Sequence, residues 1–434
     1  MNYLFIHQHF PGQYVHIAGY LAEAGHHVVF ITQRCERPID GVRTVTYPPA
    51  RAHSHTHPYL SEFDVGVANG IAVANCCEAL QRGGFTPDLV VGHNGWGELL
   101  YVKDVWPSVP LLGYFEFFYR NSGSDVGFDP EFPAAPDDPM RLRTRNAVNL
   151  LGLDAADWGQ TPTEWQRQQY PRRYWSRISI AHEGVDTRVV RPARGARIWL
   201  EGGLSLSHDD EVITYCARNL EPYRGFHIFM RALPTVLRRR PKAHILIAGG
   251  SSVSYGRNPA DARSWREKML VELDGQLDLR RIHFLGTLPY PQYLAILQIS
   301  TAHVYLTYPF VLSWSLLEAM AAGCIVVGSR TPPVEEVVTD GDNGCLVDFF
   351  DVDGLADGLA RVCAGRARHE PMRRAARAAV LRRYDLKTVC LPRHLKLFDK
   401  LARTPSAAPE RERAPILPAH RQPSFRDEPS ASYL

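Results

Sequence analysis

Short, near-continuous apolar runs alternate with segments of helical periodicity along most of this chain, and such runs need burial on both faces. A parallel sheet covered by helices on either side supplies that burial, whereas an antiparallel sheet with one wet face does not. In the first half the runs lie at 3–7, 28–32, 42–47, 89–93, 111–115 and 178–182. Between the first two, apolar residues at 14, 17, 18, 21 and 24 trace one helix face, and Gly25 stands where a helix ends in a left-handed residue. The second half repeats the grammar at 212–216, 245–248, 282–285, 302–306 and 325–328. Phe226 to Leu237 reads as a helix that Pro234 should kink or confine to its first turn, and 316–322, closed by Gly323, reads as another.

Periodicity fails over 187–197, TRVVRPARGAR, where Pro and Gly interrupt any apolar face. An α/β chain of two doubly wound, Rossmann-like domains follows, at 1–186 and 198–383, with 187–197 as a hinge. From 403 to 434 the chain is rich in Pro, Ser, Ala and charge, which predicts a disordered tail.

Composition narrows the function classes. At 434 residues the chain exceeds one compact core, and 45% hydrophobic with 22% charged residues is ordinary for a globular protein. Lys+Arg 49 against Asp+Glu 46 leaves a net charge of +3, so nucleic acid is not an expected partner. The eight cysteines (35, 76, 77, 216, 324, 345, 363 and 390) have no zinc-ligand spacing and read as reduced thiols of a cytoplasmic enzyme. Neither a targeting segment nor an apolar run of about 18 residues is present, so any membrane contact is expected to be peripheral.

The segment 308–323, YPFVLSWSLLEAMAAG, follows the run AHVYL directly. A loop after a parallel strand that opens a helix is where open α/β sheets bind anions, through free helix N–H groups and the dipole. Ser313, Trp314 and Ser315 would offer those N–H groups, and Glu318, read into the first turn, would accept hydrogen bonds from sugar hydroxyls. On spacing alone, Ser315 to Glu318 is equally an S-x-x-E capping box with no ligand. In CARNLEPYRG, Arg218 and Arg224 flank a strand-to-helix loop of the same half, and two guanidiniums there suit a diphosphate.

These residues resemble the retaining glycosyltransferases of family 4, which have the GT-B architecture. The likeness covers about residues 1–400 and rests on ARNLEPYRG, AHILIAGG, IHFLGTL and LLEAMAAGCIVVGSRTPPVEEVVTDGDNGCLV. The amino-terminal HQHFPGQ is similar to one subgroup. The resemblance implies Arg218 and Arg224 on the donor diphosphate, Glu318 on its ribose, backbone of Gly286 and Thr287 beside the nucleobase, and Ser313 to Ser315 amides on phosphate. It places Gly12 and Gln13 in the acceptor-side loop and a helix at 384–402 back against the amino-terminal domain. It implies transfer from a nucleoside-diphosphate sugar, UDP or GDP for preference, with retention, without a cofactor or metal. The acceptor would be a glycan, a lipid-linked or a small molecule, in bacterial polysaccharide or glycoconjugate synthesis. Closure about 187–197 would then shield the donor from water.

Two positions depart from that pattern. The earlier of the family's paired glutamates, which touches the donor sugar, is Phe310 here, and Glu116 stands where the family has a His. Glu116 would accept a sugar hydroxyl or help deprotonate an acceptor, or else pair with Arg120 one turn on. His93, at a strand end near Asn94 and Glu98, is the rival acid–base candidate. His53, His55 and His57 have no carboxylates or cysteines beside them in sequence and read as a solvated loop. The basic runs 141–145 and 366–383 read as solvated helix faces, with anionic lipid as the alternative, and Trp158, Trp165 and Trp175 as core or cleft wall. Two other readings fit the same halves: a sugar-nucleotide-binding or partner subunit without turnover, and a nucleotide-sugar epimerase.

Overall fold

The structure, a computed structural model, describes residues 1–53, 56–365 and 367–404. The first of its two large sheets contains β1 (Asn2–Ile6), β2 (His27–Thr32), β3 (Val42–Thr46), β4 (Leu89–His93), β5 (Leu111–Tyr114), β6 (Trp158–Thr161) and β7 (Ile178–Ile180), in the order β3-β2-β1-β4-β5-β6-β7. A small antiparallel hairpin, β8 (Arg197–Trp199) and β9 (Ser205–Ser207), follows. The second large sheet contains β10 (Val212–Asn219), β11 (His244–Gly250), β12 (Ile282–Gly286), β13 (Ala302–Tyr305), β14 (Ile325–Ser329) and β15 (Cys345–Val347), in the order β12-β11-β10-β13-β14-β15. All pairings in both large sheets are parallel, as both-face burial of the apolar runs requires. The strand order reverses between β1 and β4 and between β10 and β13, and each reversal opens a crevice at the carboxyl ends of those strands.

Every expected run forms a strand, and Gly25 ends the first helix, Val15–Glu23, at φ +82°. Strand β6 is the informative addition. Its sequence WGQT has no apolar run, yet Gln160 and Thr161 are buried, and Gln160 Nε2 is satisfied by Ala181 O at 3.3 Å. Pro234 is not confined to a first turn: it lies inside its helix, which runs over Phe226–Arg239. Burial of Phe226, Phe229, Met230, Leu233 and Val236 stabilises that helix by about 1.5–3 kcal/mol per side chain, well beyond the roughly 3 kcal/mol an interior proline costs.

The basic runs are solvated faces only in part: Arg143, Arg368, Arg374, Arg382 and Arg383 are exposed, but others are engaged. In the helix Glu370–Arg383, Arg373 donates to Gly323 O (2.7 Å) and Thr301 O (3.0 Å), and Arg377 to Val190 O (3.0 Å) and Ala321 O (2.5 Å), so both close the ends of other elements. In the other run, Arg141 pairs with Asp138, and Arg145 pairs with Glu62 and lies over the Tyr119 ring. Arg366 and His55, like the expected tail beyond Thr404, lie outside the described residues.

The chain crosses between its halves twice, side by side. Val185 N donates to Tyr384 O (2.8 Å) and Leu386 N to Val185 O (2.9 Å). The last helix among the described residues, Leu391–Ala402, then buries Leu391, Phe398 and Leu401 with Phe5, Tyr14 and Leu21 of the first domain.

A third connection is a strap, residues 117–137, which leaves the first sheet and lies on the second domain. Phe117 joins the second domain's apolar core, and Phe128 packs among Tyr308, Phe349 and Phe350. Asp129, buried, accepts from Tyr308 Oη (2.5 Å) and lies 3.1 Å from His227 Nε2. Asp125 accepts from Tyr223 Oη at 2.9 Å, and Glu131 pairs with Arg231. Burial works to raise the Asp129 pKa, but the His227 and Tyr308 hydrogen bonds overcome it and hold the carboxyl below its ordinary value. A depressed native pKa contributes stability above the unfolded carboxylate range and loses it as pH falls through the native value. Asp129→Ala, by leaving two buried groups unpaired, should lower the unfolding free energy by at least about 2 kcal/mol at neutral pH. Urea melts should show the gap to wild type narrowing on acidification, and a gap independent of pH would contradict an ionised Asp129.

Candidate functional site

The carboxyl ends of the two sheets face one another across a cavity of about 290 Å³. Its second-domain wall lies at the strand reversal, where Cys216 to Asn219 end β10, Val304 and Tyr305 end β13 with Leu306 just beyond, and Ser313 to Ser315 open the helix Trp314–Ala322. Gln13, Tyr114, Glu116, His182 and Glu183 form the facing wall.

Arg218 and Arg224 meet in this cavity in different states. Arg218 is exposed and has no ion pair among the described residues. Arg224 is buried, donating through Nη1 to Thr307 Oγ1 (2.8 Å) and Val311 O (3.0 Å). Burial pulls its pKa down, but Tyr305, Tyr255 and Glu221 around it hold the net value above the ordinary one. One guanidinium is thus a fixed part of the wall and the other is free to meet an incoming anion.

The helix start differs from the expected capping box. Ser313 is the N-cap, its Oγ accepting weakly from Ser315 N (3.4 Å), while Ser313 N donates to Tyr305 Oη (2.7 Å). With the start at 313, Glu318 falls in the second turn, behind the cavity lining. Its oxygens accept from Tyr290 Oη (2.7 Å) and Tyr293 Oη (2.8 Å), and burial pushes its pKa up despite those bonds. Gly286 and Thr287 also lie outside the cavity lining, Gly286 with open space at its α-carbon and Thr287 beside Gly250.

On the facing wall, the two rival acid–base candidates are neighbours. His93 Nε2 lies 3.4 Å from Glu116 Oε2. His93 Nδ1 accepts from Gly95 N at 2.9 Å, which places the ring proton on Nε2, toward Glu116. His93 is buried, stacked on Trp96 at 4.0 Å, and only Glu116 reaches the cavity. The alternative partner, Arg120, makes no ion pair with Glu116. Gly12 is required where it stands: at φ +53°, a β-carbon there would lie 2.7 Å from His7 Nε2. The loop closes over the buried His7, whose pKa burial drives well below the ordinary imidazole value, and Gln13 alone of the pair lines the cavity.

Three residues beyond the sequence reading belong to the site. Glu183 bridges the walls, accepting from Tyr114 Oη (2.6 Å) and from Trp314 Nε1 (3.0 Å). Its position directly after the run 178–182, where strand ends meet ligands, was the available signal. Glu221 and Tyr255 carried none. Phe310 is buried against Phe117 (4.6 Å) and Tyr255 (4.9 Å), and its carbonyl accepts from Trp165 Nε1 at 3.1 Å.

The histidine loop does have a carboxylate, supplied from elsewhere: His53 Nδ1 lies 2.9 Å from Asp64 Oδ2, and His57 Nδ1 accepts from Tyr59 N. Among the described residues, the acid–imidazole group that converges closely enough for a metal is Asp129 and Glu131 of the strap with His227 of the second domain, where the Arg231 guanidinium already neutralises Glu131. Among the described residues no helix is long and apolar enough to cross a membrane.

Residues 24–190 match the family described as "Glycosyl transferase family 4 group", and residues 204–379 that described as "Glycosyl transferases group 1". The chain is 28% identical over 277 residues to a D-inositol 3-phosphate glycosyltransferase of Mycolicibacterium smegmatis, covering 62% of this chain and 57% of that protein's length. Among solved structures, sucrose-phosphate synthase from Thermosynechococcus elongatus superposes with a TM-score of 0.67 at 18% identity over 92% of this chain and 99% of that one. The Anabaena HepE protein in complex with UDP and glucose does so at 0.63 and 15%, over 92% and 100%. These neighbours share the GT-B architecture of two Rossmann-like domains.

The unequal states of the two arginines have a measurable consequence. Arg218→Ala should leave the urea midpoint near wild type, whereas Arg224→Ala, which strips the partners of two buried acceptors, should cost about 1–3 kcal/mol. Equal effects of both on the midpoint would contradict this division.

Proposed function

We propose that this chain, of the glycosyltransferase family 4 type in both halves and GT-B in fold, transfers a sugar from a nucleoside diphosphate to an acceptor hydroxyl with retention at the anomeric carbon. The observation that carries this reading is the pairing of Arg218 and Arg224 with a helix N-terminus at the strand reversal of the second sheet, opposite Glu116 on the first domain. The bond from the anomeric carbon to the diphosphate oxygen breaks, and the charge left on the diphosphate meets two guanidiniums and the helix dipole, with no metal assigned to that task. The acceptor hydroxyl bonds to the same face of that carbon and its proton passes to Glu116. His93 lies beside that carboxylate, 3.4 Å away, while Glu183, with both oxygens engaged, serves structure.

UDP is the favoured donor nucleotide, because a structural neighbour holds UDP and glucose and the curated relatives are glycosyltransferases. Since the chain spans only 57% of the length of the first of those relatives, the acceptor stays a class: a glycan, a lipid-linked or a small hydroxyl compound in bacterial glycoconjugate synthesis. The protein would act in the cytoplasm, without a cofactor.

Thermal melts with UDP, GDP and ADP at millimolar concentration, NAD serving as control, test the reading. One diphosphate at about 100 times its dissociation constant should stabilise the wild type by about 2.7 kcal/mol, and that rise should vanish in Arg218→Ala. A rise with NAD alone, or an undiminished rise in the variant, would overturn the donor site.

A further inference from the structure

Phe310 leaves the sugar end of the site without the carboxylate that the family resemblance puts there, and what stands against Phe310 is an aromatic residue on a strongly built loop. Tyr255 lines the cavity together with both arginines, its ring 4.9 Å from Phe310 and 5.3 Å from the Arg224 guanidinium carbon. The loop beneath it is clamped by a buried carboxylate: Glu221, 1% exposed, accepts from Ser254 N (3.0 Å), Tyr255 N (3.1 Å) and Gly256 N (2.9 Å). Asn219 adds bonds to Ser254 Oγ (2.8 Å) and from Ser252 Oγ (3.0 Å). A carboxylate withdrawn from water needs such compensation, and all of it here is spent on the conformation of one surface loop. Tyr255 is nevertheless 40% exposed, so the clamp does not serve to bury its ring.

We propose that Tyr255 is a specificity-determining residue for the donor sugar, a hexopyranosyl group, which it meets with ring and hydroxyl beside the diphosphate. The inference rests on the donor-site reading above and adds which end of the donor this wall recognises. An aromatic ring packs against the C–H face of a pyranose and a phenol hydroxyl bonds its equatorial oxygens, a combination that distinguishes epimers. Glu221 is the positioning residue: it holds the loop through backbone N–H groups.

Calorimetric titration of the full chain with UDP, UDP-glucose, UDP-galactose and UDP-N-acetylglucosamine, and with GDP and GDP-mannose, tests this in Tyr255→Ala, Tyr255→Phe and Glu221→Gln. The expected result is a loss of about ten-fold or more in affinity for the preferred sugar nucleotide in Tyr255→Ala, with the free diphosphate held within about two-fold. Tyr255→Phe should fall between, and Glu221→Gln, which keeps the ring but loosens the loop, should reduce the preference among sugars. Equal losses for nucleotide and sugar nucleotide would assign Tyr255 a structural role and overturn the proposal, as would an unchanged preference in a folded Tyr255→Ala. Wild-type chain that binds no nucleotide and no sugar nucleotide would overturn the donor-site reading itself and this inference with it.

Discussion

One buried carboxylate ties the two halves of this molecule together. Asp129 belongs by sequence to the first domain, but its hydrogen-bond partners, Tyr308 and His227, belong to the second. An ionised group so far from water persists only where its lone pairs are met, so the strap that carries it is held to one register on the second domain. Phe117, Phe128 and Phe132 add the apolar area, and Tyr223, bonded to Asp125, carries the constraint to the residue beside Arg224. The cleft, its fixed arginine and its aromatic wall all stand on that docking.

The cleft walls are chemically unlike, and the difference follows from topology. The second domain presents the ends of β10 and β13 and a helix start, so its surface favours an anion. The first domain presents the neighbourhood of parallel neighbours β4 and β5, where His93 is in register with Tyr114 and Glu116 follows two residues on, so its surface offers a carboxylate. The proposed transfer uses both, the anion site at the departing diphosphate and the carboxylate at the acceptor hydroxyl, on one face of the anomeric carbon. The two peptide crossings are bonded to each other through Val185 and Tyr384, and the strap adds a third connection between the halves.

Much of this was legible in the sequence, for reasons that can be named. The apolar runs became parallel strands because nothing else buries them on both faces, and Arg218 and Arg224 converge because both flank the loop leaving one such strand. What escaped is tertiary. Strand β6 is polar and takes its place from its neighbours' hydrogen bonds, and Pro234 is carried through its helix by the core beneath it. Spacing alone reads Glu318 into the first turn because Ser315 is as good a cap as Ser313; the helix starts two residues earlier, with Ser313 N bonded to the Tyr305 hydroxyl. Glu116 and His93 read as alternatives because their contact crosses from one strand end to the next. Arg145, Arg373 and Arg377 read as solvated because their carboxylate and carbonyl partners are distant in sequence.

The central claim is that the diphosphate of a sugar nucleotide sits between Arg218, Arg224 and the start of the helix Trp314–Ala322. A crystal structure of the chain with UDP or UDP-glucose tests it most directly. The account predicts phosphate density within hydrogen-bond distance of both guanidiniums, with Tyr255 and Glu116 on the sugar side. Phosphate bound elsewhere, or density that leaves Arg218 in solvent, would contradict it.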